Sequence, residues 1–137
     1  MFKDNTRNDQ GLLFKPENLY SETLQDRLKK HWSSYFYEKI FRFIDESIFA
    51  PLYSDQGRPN FPVNILAGLE ILKEMHGLSD EQLYDRYHFD YTFQRALGVE
   101  DIEKNSFAIR TLYHFRAAVA AYEEENKVSL YQHIFEA

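Results

Sequence analysis

The side chains able to do chemistry are spread thinly along this sequence. Its five histidines (His31, His76, His88, His114 and His133) have no metal-ligand spacing with one another. There is no glycine-rich phosphate loop, because Gly11, Gly57, Gly68, Gly77 and Gly98 are scattered. Asp85 and His88 lie three apart and can touch on a helix; we read them as a surface or half-buried pair. Asp80, Glu81 and Asp85 put three carboxylates at one helix start. Such a group can hold a divalent cation, but compensation of the helix dipole explains it more simply. Glu123, Glu124 and Glu125 read as a solvated stretch near a helix end.

More informative is the stretch from 104 to 122, which carries Lys104, Arg110 and Arg116 and no acid. At about 100° per residue, Ala108, Leu112, Phe115, Val119 and Tyr122 fall on one arc. Ser106, Arg110, Tyr113, His114, Ala117 and Ala121 fall on the opposite arc. Arginine can read guanine edges or clamp phosphate, and Ser and Tyr can donate to phosphate oxygens. Gln56-Gly57-Arg58-Pro59 has the flavour of a minor-groove hook. On pattern alone, a solvated helix face and a turn are the simpler readings of these two features.

Elements must position these residues. Ser21 opens a helix whose Tyr20, Leu24, Leu28 and Trp32 recur on one face, with Ser33-Ser34 as a break. A second run aligns Phe36, Ile40, Phe43, Ile44 and Ile48 and ends before Pro51. Residues 53 to 60 read as a loop. Pro62 suits the first turn of a third helix, with Ile65, Leu66, Leu69, Leu72 and Met75 as its buried stripe. Mid-helix Gly68 implies close approach of another helix, and Gly77 is the stop. Ser79-Asp80-Glu81-Gln82 matches a capping box and starts a short helix with Leu83, Tyr84 and Tyr87 inward. Asp90 caps another, carrying Phe93 and Leu97 and stopping at Gly98. Asn105 or Ser106 caps the last long helix, and residues 128 to 136 read as a further helical piece. No strand alternation, internal repeat or low-complexity run appears.

The expected fold is all-α: a compact multi-helix bundle with a helix-turn-helix-like part at about 79–122 and an N-terminal arm. Residues 1–19 form the arm, with Leu12-Leu13-Phe14 as an apolar clip, and residues 20–137 form one helical domain. The length of 137 residues fits one domain with a real core. Hydrophobic residues at 44% argue against disorder. The absence of cysteine excludes disulfides, thiolate catalysis and zinc fingers. Neither a signal peptide nor a stretch approaching ~18 uncharged apolar residues is seen, so a cytoplasmic protein is expected. A net charge of -6 makes the whole chain a poor non-specific polyanion binder, so any nucleic-acid site must be a local patch.

The order of the pieces carries a resemblance. Gly57-Arg58-Pro59 precedes the aliphatic run Val63-Asn64-Ile65-Leu66-Ala67-Gly68-Leu69-Glu70-Ile71-Leu72. Then come Gly77-Leu78-Ser79-Asp80-Glu81-Gln82-Leu83, Leu97-Gly98, and a helix with Phe115-Arg116. Upstream, Leu12-Leu13-Phe14-Lys15-Pro16 and Phe49-Ala50-Pro51-Leu52-Tyr53 fit as well. This ordered set resembles the N-terminal domain of bacterial insertion-sequence transposases of the DDE class. The resemblance implies a helical domain that binds the element's terminal inverted repeats in double-stranded DNA, close to the nucleoid. It implies that cutting and joining belong to a separate ribonuclease-H-like domain with two divalent metals. No catalytic residue carries over to this chain, which is expected to be neither an enzyme by itself nor a holder of a cofactor or metal. The entry to the last helix departs from the family pattern: Asn105-Ser106-Phe107-Ala108 lacks the proline, and most later arginines are missing. Arg58, Arg110 and Arg116 occupy family-like positions.

The expected DNA contacts are therefore Arg110, Tyr113 and His114 in a major groove, Arg95 and Arg116 on phosphates, and Arg58 at the minor groove or backbone. The alternative is a homodimeric assembly domain. It rests on the net charge and on the aromatics Tyr35, Phe36, Phe41, Phe43 and Phe49, which can form an exposed patch.

Overall fold

The computed structural model describes residues 2, 4–5, 19–53 and 61–132. Arg58 and the Leu12-Leu13-Phe14 clip lie outside the described residues. The order is α1 (Glu22–Lys29), α2 (Trp32–Lys39), two 3-10 turns (Phe41–Phe43 and Glu46–Leu52), α3 (Val63–His76), α4 (Asp80–Phe89), α5 (Tyr91–Ala96) and α6 (Ile109–Asn126). Residues 130–132 begin one more helical turn, with Leu130 buried. No strand occurs among the described residues.

Helix α3 is the central element. Val63, Ile65, Leu66, Ala67, Gly68, Leu69, Ile71 and Leu72 are all buried. A helix apolar nearly all round belongs in a core, and this one is surrounded. Met75, the last member of the expected stripe, is instead 57% exposed, since the helix leaves the core in its final turn. Pro62 is the N-cap and supplies no side-chain cap. The missing acceptor comes from the second 3-10 turn. The Glu46 carboxylate accepts from the Asn5 backbone N–H at 3.0 Å and from the Asn64 backbone N–H. Burial pushes the Glu46 carboxyl up, against the pull of those backbone donors. At the other end Gly77 takes the left-handed conformation (φ 62°), and its N–H and that of Leu78 both return to the Lys73 carbonyl.

Gly68 is crowded as expected, though by two side chains rather than by a neighbouring helix. A Cβ there would sit 2.5 Å from Leu97 Cδ2 and 3.4 Å from the Phe41 ring. Around α3 the core collects Phe36, Phe41, Ile44 and Phe49 from the first half, Leu83, Tyr87, Phe93 and Leu97 from α4, α5 and the residue after α5, and Leu112, Phe115 and Val119 from α6. Helix α2 packs on α5, α3 on α4, α4 on α5, and α6 on the second 3-10 turn.

Several local expectations need correction. The face Tyr20–Leu24–Leu28–Trp32 does not form one helix side. The chain breaks after Lys29, and His31 caps α2 by accepting from the Ser33 N–H at 3.2 Å. Helix α1 buries no residue, and Leu24 is 51% exposed. The second run is helical only to Lys39. Beyond it the backbone tightens to 3-10 geometry, which turns Phe41 and Ile44 inward and leaves Phe43 outside. Pro51 lies inside the second 3-10 turn rather than after a helix end.

Candidate functional site

The long helix α6 presents most of the arcs read from the sequence, but Ala108 is its exposed N-cap, Ser106 lies before it, and Tyr122 is only half-buried. Leu112, Phe115 and Val119 are buried, and Arg110, Tyr113, His114, Ala117 and Ala121 are exposed. Neither Asn105 nor Ser106 caps it. The N-cap is Ala108, which offers no side-chain acceptor. Asn105 is instead turned inward, 2% exposed, with its amide donating to the Asp101 carbonyl at 2.7 Å. The first turn of α6 thus keeps its positive end without a side-chain cap.

Three side chains of α4 hold the segment that leads into α6. The Tyr84 hydroxyl donates to the Phe107 carbonyl at 2.6 Å, and the Tyr87 hydroxyl donates to the Asn105 carbonyl at 2.8 Å. The Phe107 N–H points at His88 Nε2 at 3.4 Å, while His88 Nδ1 is 2.8 Å from the Tyr84 carbonyl. Those partners suit the neutral ring with its proton on Nδ1. The Phe107 ring lies within 5.6 Å of the rings of Phe61, Tyr84, Tyr87 and His88. Such contacts fix the direction in which α6 starts.

Arg116 locks the middle of α6. Its Nε and Nη2 donate to Glu70 Oε1 at 3.1 and 2.9 Å, and its Nη1 and Nη2 donate to Asp80 Oδ2 and Oδ1 at 3.1 and 2.7 Å. One guanidinium therefore ties α6 to α3 and to the start of α4. The Arg116 hydrogen bonds hold the Asp80 carboxyl below the usual carboxylate range, and those two carboxylates push Arg116 further up. A cation shared by two carboxylates has no charge left to offer a phosphate.

Arg95 is also engaged. Its Nε and Nη2 donate to Ser34 Oγ at 3.2 and 3.0 Å, and Ser34 Oγ donates to the Leu28 carbonyl at 2.7 Å. The expected contact set thus separates into three. Arg110, Tyr113 and His114 come together on one exposed edge, Arg95 and Arg116 brace helices, and Arg58 lies outside the described residues. The acids that complete the Arg116 lock were not assigned that role from the sequence. Asp80 reads from the sequence as dipole compensation, and the signal for Glu70 is that it is the one acid in the aliphatic run 63–72.

The junctions of the α4–α5–α6 trio are distinctive. Asp90 alone joins α4 to α5, and residues 97–108 join α5 to α6. A standard helix-turn-helix uses a turn of about three to four residues. Among the described residues, no group of three or more His, Asp or Glu side chains is placed to hold a metal ion, and no helix is long and apolar enough to cross a membrane. In comparison with protein families, a family model described as a transposase domain (DUF772) matches residues 22–118. No curated protein and no solved structure matches the chain.

Proposed function

The chain belongs to this family of transposase domains, and from that premise we propose that it is the DNA-binding module of an insertion-sequence transposase. In this reading it recognises the terminal inverted repeats of the element, and α6 enters a major groove by its N-terminal half. Arg110 reads a base edge or clamps phosphate, and Tyr113 and His114 donate to the backbone beside it. The uncapped first turn of α6 favours a phosphate at the same end. The carrying observation is the exposed edge Arg110–Tyr113–His114 on a helix whose direction is fixed by Arg116 and by Tyr84 and Tyr87. With one residue before α5 and a long link after it, this docking is a variant of the helix-turn-helix mode. Arg95 and Arg116 act by holding helices in place, and Arg58 is a further contact at the minor groove or backbone. Cutting and joining, with their divalent metals, are assigned to a separate DDE-type catalytic domain. Work at DNA ends places the protein at the bacterial nucleoid.

Selection of binding sites from a random duplex library at moderate salt tests this reading. One enriched motif is expected, lost as salt rises. Arg110→Ala with His114→Ala should weaken binding to that motif about tenfold and lower the salt slope by about one. Arg116 is unsuitable for this test, because its loss loosens the fold. Without enrichment from a folded protein, or with the double variant unchanged, the module does not read DNA through α6. The net charge of -6 favours an assembly domain in that case, and light scattering would then report a dimer.

A further inference from the structure

His88 sits where α4 meets the link to α6, and both of its ring nitrogens are in use. Nδ1 lies 2.8 Å from the Tyr84 carbonyl, one turn earlier on α4, and Nε2 faces the Phe107 N–H at 3.4 Å. The first contact needs a proton on Nδ1 and the second needs a bare Nε2, so only the neutral ring serves both. Phe107 stands directly before Ala108, the N-cap of α6, and its carbonyl accepts from the Tyr84 hydroxyl at 2.6 Å. Helix α4 thus grips Phe107 twice, by its N–H through His88 and by its C=O through Tyr84.

The half-buried imidazole is walled by rings. Those of Tyr84, Tyr87 and Phe107 lie 4.3, 4.9 and 5.4 Å away, and the two tyrosine hydroxyls are committed to the link. Charged side chains nearby in the chain are Asp85, Arg86 and Asp90 around α4, Glu103 and Lys104 in the link, and Arg110 on α6. None of them forms an ion pair or hydrogen bond with the ring. A positive charge is tolerated there all the same. His88 stands in the last turn of α4, where the helix dipole favours a cation, and aromatic neighbours favour one too. The cost of protonation therefore falls on one contact. Nε2–H would meet the Phe107 N–H, donor against donor. Two residues earlier, Asn105 Oδ1 is buried without a hydrogen-bond partner, a cost that a rearrangement of the link can relieve.

We propose that His88 is a proton-operated latch on the entry to α6. Neutral, it holds the Phe107 N–H and fixes where the helix starts. Protonated, it keeps its bond to the Tyr84 carbonyl but releases the Phe107 N–H, and residues 105–108 loosen. Histidine changes charge between about pH 5 and 8. The latch is shut at the upper end of that range and opens as the pH falls. Arg110 lies in the first turn of α6, with Tyr113 and His114 one turn on, so an open latch directs that edge less well. This consequence rests on the DNA-binding reading above. The latch itself is a property of the fold, and its test uses no DNA, so the two can fail separately.

The test is NMR on the isotope-labelled full chain between about pH 7.5 and about pH 5.5, the window in which an ordinary histidine titrates. The His88 ring C–H signals report its charge. Amide exchange at Phe107, corrected for its intrinsic pH dependence, should speed up about threefold as His88 protonates, because a hydrogen bond of 3.4 Å belongs at the weak end of the usual range. Amides in the middle of α3 should not respond. His88→Phe keeps a ring in place and removes both nitrogens, so exchange at Phe107 should be fast throughout and independent of pH. Tyr84→Phe loses the other half of the grip, so it should raise exchange at Phe107 and keep the pH response. Circular dichroism confirms that each variant folds. The proposal is overturned if the His88 ring stays neutral at the acid end, or if exchange at Phe107 is unchanged across its titration. A pH response that survives in His88→Phe, or one spread evenly over α3 and α6, also overturns it.

Discussion

Replacing Arg116 by alanine should destabilise the fold by about 2 kcal/mol, and the structure fixes that scale. The guanidinium donates four hydrogen bonds to two carboxylates. Breaking a fully buried pair costs about 3–5 kcal/mol, because the surviving charge is stranded. An exposed pair is worth about 0–1 kcal/mol. Here Arg116 is 37% exposed, Glu70 16% and Asp80 29%, so solvent screens part of the loss. Urea denaturation is the assay. With a slope of about 2 kcal/mol per molar for a chain of this size, the midpoint should fall by about 1 M at unchanged slope. Adding Glu70→Gln and Asp80→Asn to the variant should recover part of the loss by removing the stranded charges. The pH dependence has a definite sign. Asp80 is held below its ordinary value of 3.8 by Arg116. Its contribution is therefore complete above about pH 4 and fades as the pH falls through its depressed folded value. The gap between parent and variant should narrow at pH 3. A gap below about 0.5 kcal/mol at pH 7, or one that does not change down to pH 2.5, would refute the lock.

Two further substitutions probe local rules. Gly68→Ala gains roughly 1 kcal/mol in helix propensity but drives a methyl to 2.5 Å from fully buried Leu97. Overpacking of about 1–3 kcal/mol should win, so that Tm falls by a few degrees. In a Leu97→Ala background the same change should become neutral or stabilising, and thermal melts of the four proteins of that cycle check it. Ser79→Ala removes the acceptor for the Gln82 N–H at 3.1 Å and releases the reciprocal Gln82 bond at 2.9 Å. It should cost about 1 kcal/mol, read from urea midpoints; a shift near zero would mean that water replaces the capping box.

Much of the fold was legible because it depends on neighbours in sequence. Ser21, Ser79 and Asp90 cap the helices they were assigned to, since a cap joins a side chain to an N–H two or three residues away. The inner arc of α6 and the stop at Gly77 were legible for the same reason: helical periodicity and backbone freedom are properties of short stretches. Ordered motifs along the chain also pointed to a transposase domain, in agreement with the family matched over residues 22–118.

What sequence could not decide was which side chains have partners. Arg95, Arg110 and Arg116 look alike on a helical wheel. Only packing brings Glu70 and Asp80, 46 and 36 residues before Arg116, onto one guanidinium and sets Ser34 against Arg95, while Arg110 stays exposed. The same holds for apolar stripes. Leu24 and Phe43 fit a helical period as well as Leu83 and Phe93 do, but they meet no core. Periodicity states which residues share a side of a helix. Whether that side is covered depends on where distant parts of the chain are brought, and a pairwise contact across the fold leaves no mark on either partner's local sequence.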